Sequence, residues 1–340
     1  MDTCVEKCVA VTGASSFIGS HVVRELLSKN YLVRGTARDP SSPKLESLKS
    51  LPNGKNLSLV KADMLQPQTF PSLLQNANAL IHVATPVFIG PDGKYPFSSF
   101  EEGLEQQLKP AVEGTRALLH AAAEAGIKKV ILTSSVSAIS VVPTDPEVLD
   151  ERCWSDEEYC RKIQRSNEGI YNLSKLLQER LAWELAESLQ IKLVSINPTY
   201  VLGPVVLPSS CDSLSMLSML LRGHGLPKHR CKEGMIPNHY HRFVDVREVA
   251  EAHVLALERE DAEGRYMLFS HYVHCADIYR LLCEHEAFRK FPERQTDSNQ
   301  ALRQPIPFDN SKVRKLGVRE IPWQDTIRAT ANSLADTSSV

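Results

Sequence analysis

Residues 8–29 limit what this 340-residue chain can fold into more than any other stretch. Cys8-Val-Ala-Val-Thr12 is a short apolar run rich in β-branched side chains, the pattern of a strand buried on both faces. Gly13-Ala-Ser-Ser-Phe-Ile-Gly19 follows at once. Val22, Val23, Leu26 and Leu27 then repeat at helical spacing across His21 to Lys29. Strand, glycine turn and helix in that order is the context a dinucleotide fingerprint requires. Gly13 permits the tight turn, Gly19 lets helix and sheet pack closely, and the helix start offers unpaired amides to a pyrophosphate. Gly13, Ser15, Ser16, Phe17, Ile18 and Gly19 are therefore candidate cofactor contacts.

The next strand, read over Tyr31–Thr36, bears on which nicotinamide cofactor fits. NAD sites place an Asp or Glu near its end to bond the ribose 2′-hydroxyl. Here the end reads Thr36-Ala-Arg38-Asp-Pro, with Lys44 shortly after. Arg38 can make a charge-assisted contact with a 2′-phosphate, which favours NADPH/NADP+, and Lys44 is a second candidate contact. The competing arrangement is a surface pairing of Arg38 with Asp39 and no ligand.

The chemistry is carried by Tyr171-Asn-Leu-Ser-Lys175, preceded by Thr133-Ser134-Ser135. Tyrosine and lysine at i and i+4 share one face of a helix, so their side chains can converge. A free tyrosine, with a pKa of about 10, is a poor proton donor or acceptor at neutral pH. An ammonium one turn away stabilises the phenolate and brings that value toward the working range. A serine hydroxyl from a strand end can hold a carbonyl oxygen against the tyrosine. Beside a hydride donor, that is equipment for reducing a carbonyl.

These stretches resemble the extended short-chain dehydrogenase/reductases. Within them the chain is most similar to the dihydroflavonol 4-reductase, cinnamoyl-CoA reductase and aldehyde/ketone reductase branch. The matching segments run almost end to end: VTGASSFIGSHVV, VRGTARDP, KADM, LIHVATP, KPAVEGT, KKVILTSS, DERCWSD, YNLSK, INPTYVLGP, FVDVREVAEAH and SKVRKLGV. The resemblance implies Ser135, rather than Ser134, with Tyr171 and Lys175 as catalytic residues. It further implies that Asp63 and Met64 meet the adenine, and that Val83, Ala84 and Thr85 border the ribose and pyrophosphate. Lys175 bonds the nicotinamide ribose on this reading, and Pro198, Thr199 and Val201 lie at the nicotinamide end. Three departures stand out. Ser16 replaces the middle glycine, Lys109-Pro110 stands where many extended members carry an asparagine, and Ser140 replaces the asparagine that dihydroflavonol reductases use for the flavonoid ring. The cinnamoyl-CoA signature around the tyrosine is replaced by Asn167-Glu-Gly-Ile170, so neither named plant substrate is supported by these residues.

The wider organisation is an α/β rhythm: strands near 8–12, 31–36, 57–61, 79–83, 129–133 and 191–196 alternate with helices, the clearest over 111–125 and 171–189. The expected fold is a Rossmann-type doubly wound parallel sheet with a smaller C-terminal substrate lobe. Residues 5–200 form the NADP-binding domain, 242–262 return to it by a strand at Arg242–Asp245 and a helix over Val246–Leu257, and 201–241 with 263–332 make the lobe. Loops over 86–97 and 201–210, Ser137–Val142 and 216–241 supply the pocket, with Val87, Phe88, Val205 and Leu207 suggesting an apolar lining. The stretch Ser213–Arg222 reads as an amphipathic helix, a core element or a pocket lid.

A formal charge of −2 gives no electrostatic reason to expect nucleic acid or an anionic membrane. No run reaches the roughly 18 apolar residues of a membrane span. The short approach from Met1 to Lys7 leaves no room for a cleavable signal, which makes the cytosol the expected compartment. Eight cysteines without C-x-x-C spacing point to reduced thiols, and the late histidines, His224, His229, His239, His241, His271 and His274, match no recognised zinc pattern. The expected reaction is NADPH-dependent reduction of a small aldehyde or ketone by a monomer or homodimer. The rivals are a nucleotide-sugar epimerase or dehydratase with retained NAD, and a non-catalytic NADP-sensing protein.

Overall fold

The computed structural model describes residues 7–86, 96–163, 168–207, 212–224, 231–299, 301–302 and 304–336. Among them the strands are β1 (Cys8–Thr12), β2 (Leu32–Ala37), β3 (Leu57–Lys61), β4 (Ala79–His82), β5 (Lys129–Thr133), β6 (Lys192–Pro198), β7 (Tyr200–Leu202), β8 (Tyr240–Asp245), β9 (Gly264–Leu268) and β10 (His271–His274). The longer helices are α1 (Phe17–Ser28), α2 (Lys109–Glu124), α3 (Glu168–Ser188), α4 (Asp212–Arg222), α5 (Val246–Glu258), α6 (Cys275–Glu284) and α7 (Trp323–Asp336).

Seven strands form one sheet in the order β3-β2-β1-β4-β5-β6-β9, every pairing parallel. Buried on both faces, β1, β4 and β5 read as the continuous apolar runs expected of such strands. On one face α1 and α5 pack through Val22, Leu26, Val249 and Ala256; on the other, α2 and α3 pack through Leu118, Ala122, Leu181 and Leu185. The strand order reverses between β1 and β4, so their carboxyl ends open a crevice where such sheets bind ligands. A π-turn over Leu104–Leu108 leads into α2 just where Pro110 withholds a backbone N–H.

The strand expected at 242–245 does form, but it does not return to the main sheet. It is the centre of a second, three-stranded sheet, β10-β8-β7, antiparallel to β10 and parallel to β7. The seventh main-sheet strand is β9, from a stretch assigned to the lobe. The two helices on the way explain the choice: α4, ahead of β8, packs in the second core, whereas α5, ahead of β9, packs on the main sheet and so returns the chain beside β6. Between the two sheets only Thr199 separates β6 from β7; its amide bonds Leu268 O at 3.0 Å and its hydroxyl donates to Arg242 O at 3.5 Å.

The helix expected over 213–222 is α4, and it is a core element. Met216, Leu217, Leu220 and Leu221 are buried with Ile278 and Leu282 of α6 and Ile327 of α7. Leu207 is buried and Val205 half-buried, both in the main core rather than in an open lining. Val87, Phe88 and Asn167 lie outside the described residues.

Candidate active site

The glycine turn is built as its residue types demand. Gly13 has φ +64°, a left-handed conformation open to glycine at little cost. A Cβ on Gly19 would fall 2.0 Å from Gly13 O, so no other residue fits there without opening the turn. Exposed Ser16 accepts the Gly19 amide on its hydroxyl at 3.1 Å and caps α1, an interaction worth about 1 kcal/mol. That leaves the Phe17 and Ile18 amides, beside half-buried Ser15, as first-turn donors without intrahelical acceptors. They face the switch point, a fit for an anionic pyrophosphate.

Ser135 stands just past β5, nearly buried, its Oγ accepting the Ser137 amide at 3.1 Å to cap the short turn Val136–Ala138. Ser134 points elsewhere and donates to Glu179 Oε2 at 2.6 Å. Tyr171 is half-buried near the start of α3, and Lys175 one turn on is 4 % exposed. Lys175 Nζ donates to Thr85 Oγ1 at 2.8 Å, Thr133 O at 3.2 Å and Gln178 Oε1 at 3.4 Å. These acceptors are all neutral, and burial pushes the ammonium down to about 7 despite the opposing charge of Glu179.

Behind the lysine runs a buried polar chain. Gln178 Nε2 donates to Thr115 Oγ1 at 2.8 Å, Thr115 bonds His82 Nε2 at 3.0 Å, and His82 Nδ1 bonds Thr12 Oγ1 at 2.9 Å. Thr12 Oγ1 in turn accepts the Ala84 amide at 3.0 Å. The ends of β1 and β4 are thereby tied to the lysine helix. Burial, reinforced by Lys175, holds His82 neutral by pushing its pKa to about 3.

A second network braces α3 from below. Glu179, fully buried, accepts from Arg265 Nε at 2.7 Å, Ser195 Oγ at 2.8 Å, Asn197 Nδ2 at 2.7 Å and Ser134 Oγ. Burial alone would raise this carboxyl; the Arg265 charge and these hydrogen bonds hold it below the usual range. Arg265 also lies 3.8 Å from the centre of the Trp154 ring. Asn197 Nδ2 reaches Ser135 O at 3.2 Å, so the network ends at the serine's own backbone.

At the far end of the crevice Arg38 and Lys44 are exposed. Asp39 bonds the Ser41 amide at 3.0 Å and hydroxyl at 2.6 Å, contacts that lower its pKa. No ion pair with Arg38 forms among the described residues, so the competing surface pairing is absent. Half-buried Asp63 accepts the Leu65 amide at 3.0 Å, and Met64 packs where a Cβ on Gly114 would fall 2.8 Å from its Cε. Val83 is buried at the end of β4, Pro198 ends β6, and Val201 is buried in β7. Of the late histidines, His271 Nε2 donates to Ile321 O, His274 caps α6, and His241 lies 4.8 Å from the Tyr200 ring centre. The sequence reading missed His82, Thr115, Gln178, Glu179 and Arg265; its one signal was polar types inside helix and strand positions that periodicity buries.

An open parallel sheet with a glycine turn at its switch point and a Tyr–Lys helix alongside defines an extended short-chain dehydrogenase/reductase fold. The profile of the NAD dependent epimerase/dehydratase family matches residues 9–269, and the chain belongs to that family. It is 34% identical to cinnamoyl-CoA reductase 1 of Petunia hybrida over 331 residues, which is 96% of this chain and 92% of the relative. It is 33% identical to the bifunctional dihydroflavonol 4-reductase/flavanone 4-reductase of Malus domestica, covering 91% and 84%. Among solved structures it resembles Gre2 from Candida albicans in complex with NADPH, at TM-score 0.79 and 27% identity, covering 97% of this chain and 99% of that one.

Proposed function

We propose that this protein is an NADPH-dependent reductase of an aldehyde or ketone carbonyl. The observation that carries the reading is Lys175: a buried cation held by Thr85, Thr133 and Gln178, one helical turn from Tyr171 and beside the Ser135 strand end. Reductases among the relatives, and the NADPH complex of the Candida albicans protein, support the same reading. The first turn of α1 would hold the pyrophosphate, Arg38 and Lys44 the 2′-phosphate, and Asp63 with Met64 the adenine. Ala84, Thr85, Pro198, Thr199 and Val201 would line the ribose and nicotinamide.

The reduced nicotinamide supplies the hydride when bound. Ser135 orients the carbonyl oxygen, and Tyr171 gives its phenolic proton to that oxygen as it becomes an alkoxide. Lys175 stabilises the phenolate left on Tyr171 and bonds the ribose. Thr85 and Gln178 hold the ammonium in place. Asp39, the acid nearest the end of β2, spends its carboxylate on Ser41, which favours the 2′-phosphate over a ribose hydroxyl.

NADPH consumption by wild type and Tyr171→Phe, against aromatic aldehydes, α-dicarbonyls, β-keto esters and dihydroflavonols with NADH alongside, is the test. Turnover should fall at least about 100-fold in the variant, the scale of lost general acid catalysis, while NADPH binding persists. Equal activity in Tyr171→Phe would sink the assignment. Protein that purifies with retained NAD, and turns over no carbonyl, would favour the sugar-nucleotide alternative.

A further inference from the structure

The turn after Ser135 gathers side chains for which hydride transfer itself has no use. Arg242, in β8, donates from Nη2 to Ser140 Oγ at 3.3 Å. Its guanidinium lies 6.0 Å from the centre of the Phe269 ring. Tyr272 is its cross-strand neighbour on β10. Burial raises the Tyr272 phenol, and the charge and hydrogen bond of Arg242 draw it back. The Tyr272 hydroxyl gives its own proton to Ile306 O at 3.0 Å, which leaves its lone pairs to Arg242.

All of these partners are neutral. The guanidiniums of Arg247 and Arg265 are paired, with Asp245 at 2.7 Å and Glu179 at 2.7 Å. Among the described residues Arg242 has no ion-pair partner. Asp145, exposed on the loop beyond Ser140, bears on Tyr272 through space without forming a described ion pair with Arg242. A half-buried guanidinium without counter-charge is costly to keep, and its five donors exceed what one serine and one tyrosine accept.

Its position gives that charge a use. Ser140 follows Ser135 across the turn Val136–Ala138, its amide on Val136 O at 2.9 Å. At the rise of a 3₁₀ turn the two serines are within about 10 Å of each other. The carbonyl of Arg242 is itself bonded by Thr199, the residue that ends the β6 side of the crevice.

We propose that Arg242, framed by Ser140, Tyr272 and Phe269, docks an anionic group, carboxylate or phosphate, that the carbonyl substrate carries several bonds from its reacting carbon. This inference rests on the reductase reading and adds the charge of the substrate to it.

The test uses 3-(4-formylphenyl)propanoate, its methyl ester, and the phosphate monoester of the corresponding alcohol, with wild type, Arg242→Gln and Arg242→Lys. In wild type, kcat/KM should favour an anion over the ester by about tenfold or more, the scale of a hydrogen bond to a charged group. That ratio should collapse toward one in Arg242→Gln and partly return in Arg242→Lys. Which anion is preferred separates carboxylate from phosphate. Calorimetric titration of the three probes into NADP+-saturated protein reads the same preference without turnover. Equal kcat/KM and affinity for anions and ester, or a loss in Arg242→Gln shared by all three probes, overturns the proposal. Anion-selective, Arg242-dependent binding with no turnover keeps the docking point and removes the reductase reading; ester turnover without anion preference does the reverse.

Discussion

Lys175 is the residue on which most of the proposed chemistry turns. Burial brings its pKa down to about 7, so its charge is lost progressively as pH rises through that value before any anion arrives. The phosphates of a bound dinucleotide favour the charged form, so NADPH binding at pH 8 should take up as much as about one proton. Titration calorimetry in buffers of differing ionisation enthalpy measures this, and Lys175→Met should abolish it. Uptake indistinguishable from zero in wild type would mean that the lysine is already charged. The same depression makes the free protein more stable as pH rises from about 7 to about 10, because the unfolded chain binds the extra proton across that window. That Tyr171 and Lys175 share a helix face was legible from the i, i+4 period, whereas the choice of Ser135 over Ser134 came from the family resemblance. Thr85 and Gln178 were not equally legible. The bond from Lys175 to Thr85 crosses 90 positions, and no local pattern encodes it.

Elements in this chain are fastened by single residues. In Gly19→Ala the new Cβ meets Gly13 O, so the turn ahead of α1 has to open; NADPH affinity should fall by about tenfold or more, measured by fluorescence titration. For α3 the fastener is the buried Glu179–Arg265 pair at 2.7 Å. Glu179→Gln strands the Arg265 charge and should cost about 3 kcal/mol in urea unfolding; a change near zero would mean that Arg265 finds solvent instead. This pair also explains why β9 escaped the sequence reading. Gly264-Arg265 opens the strand with a glycine and a cation, which reads as loop until Glu179 is known to lie opposite. The six earlier main-sheet strands were legible because their apolar runs need no distant partner.

Across the whole molecule, three buried histidines set its response to acid. Burial lowers His21 to about 4, His82 to about 3 and His253 to about 4. His253 donates from Nδ1 to Val249 O at 2.7 Å and its Nε2 lies 2.6 Å from Thr133 Oγ1, so protonation forces that hydroxyl to turn from donor to acceptor in a buried site. The unfolded chain binds these protons first, so the histidines' contribution to stability is full above about pH 6.5 and falls as pH drops toward 4. Each histidine contributes a slope of roughly 1.4 kcal/mol per pH unit in that window. Urea midpoints at pH 7 and 5.5 should differ accordingly, and His253→Gln should flatten the dependence; an unchanged slope would show that these rings are already protonated in the fold. The parallel character of the main sheet was legible from its α/β rhythm, whereas its last strand and the small sheet were hidden by short strands far apart in the chain.

Thr199, alone between β6 and β7 and pinned to both β8 and β9, makes the joint between the two sheets a weld rather than a hinge. A jaw closing at that point would have to break the bonds of Thr199 to β8 and β9. On the proposed reading, the choice of substrate then falls to side chains beside that joint, Ser140 and Arg242 among them.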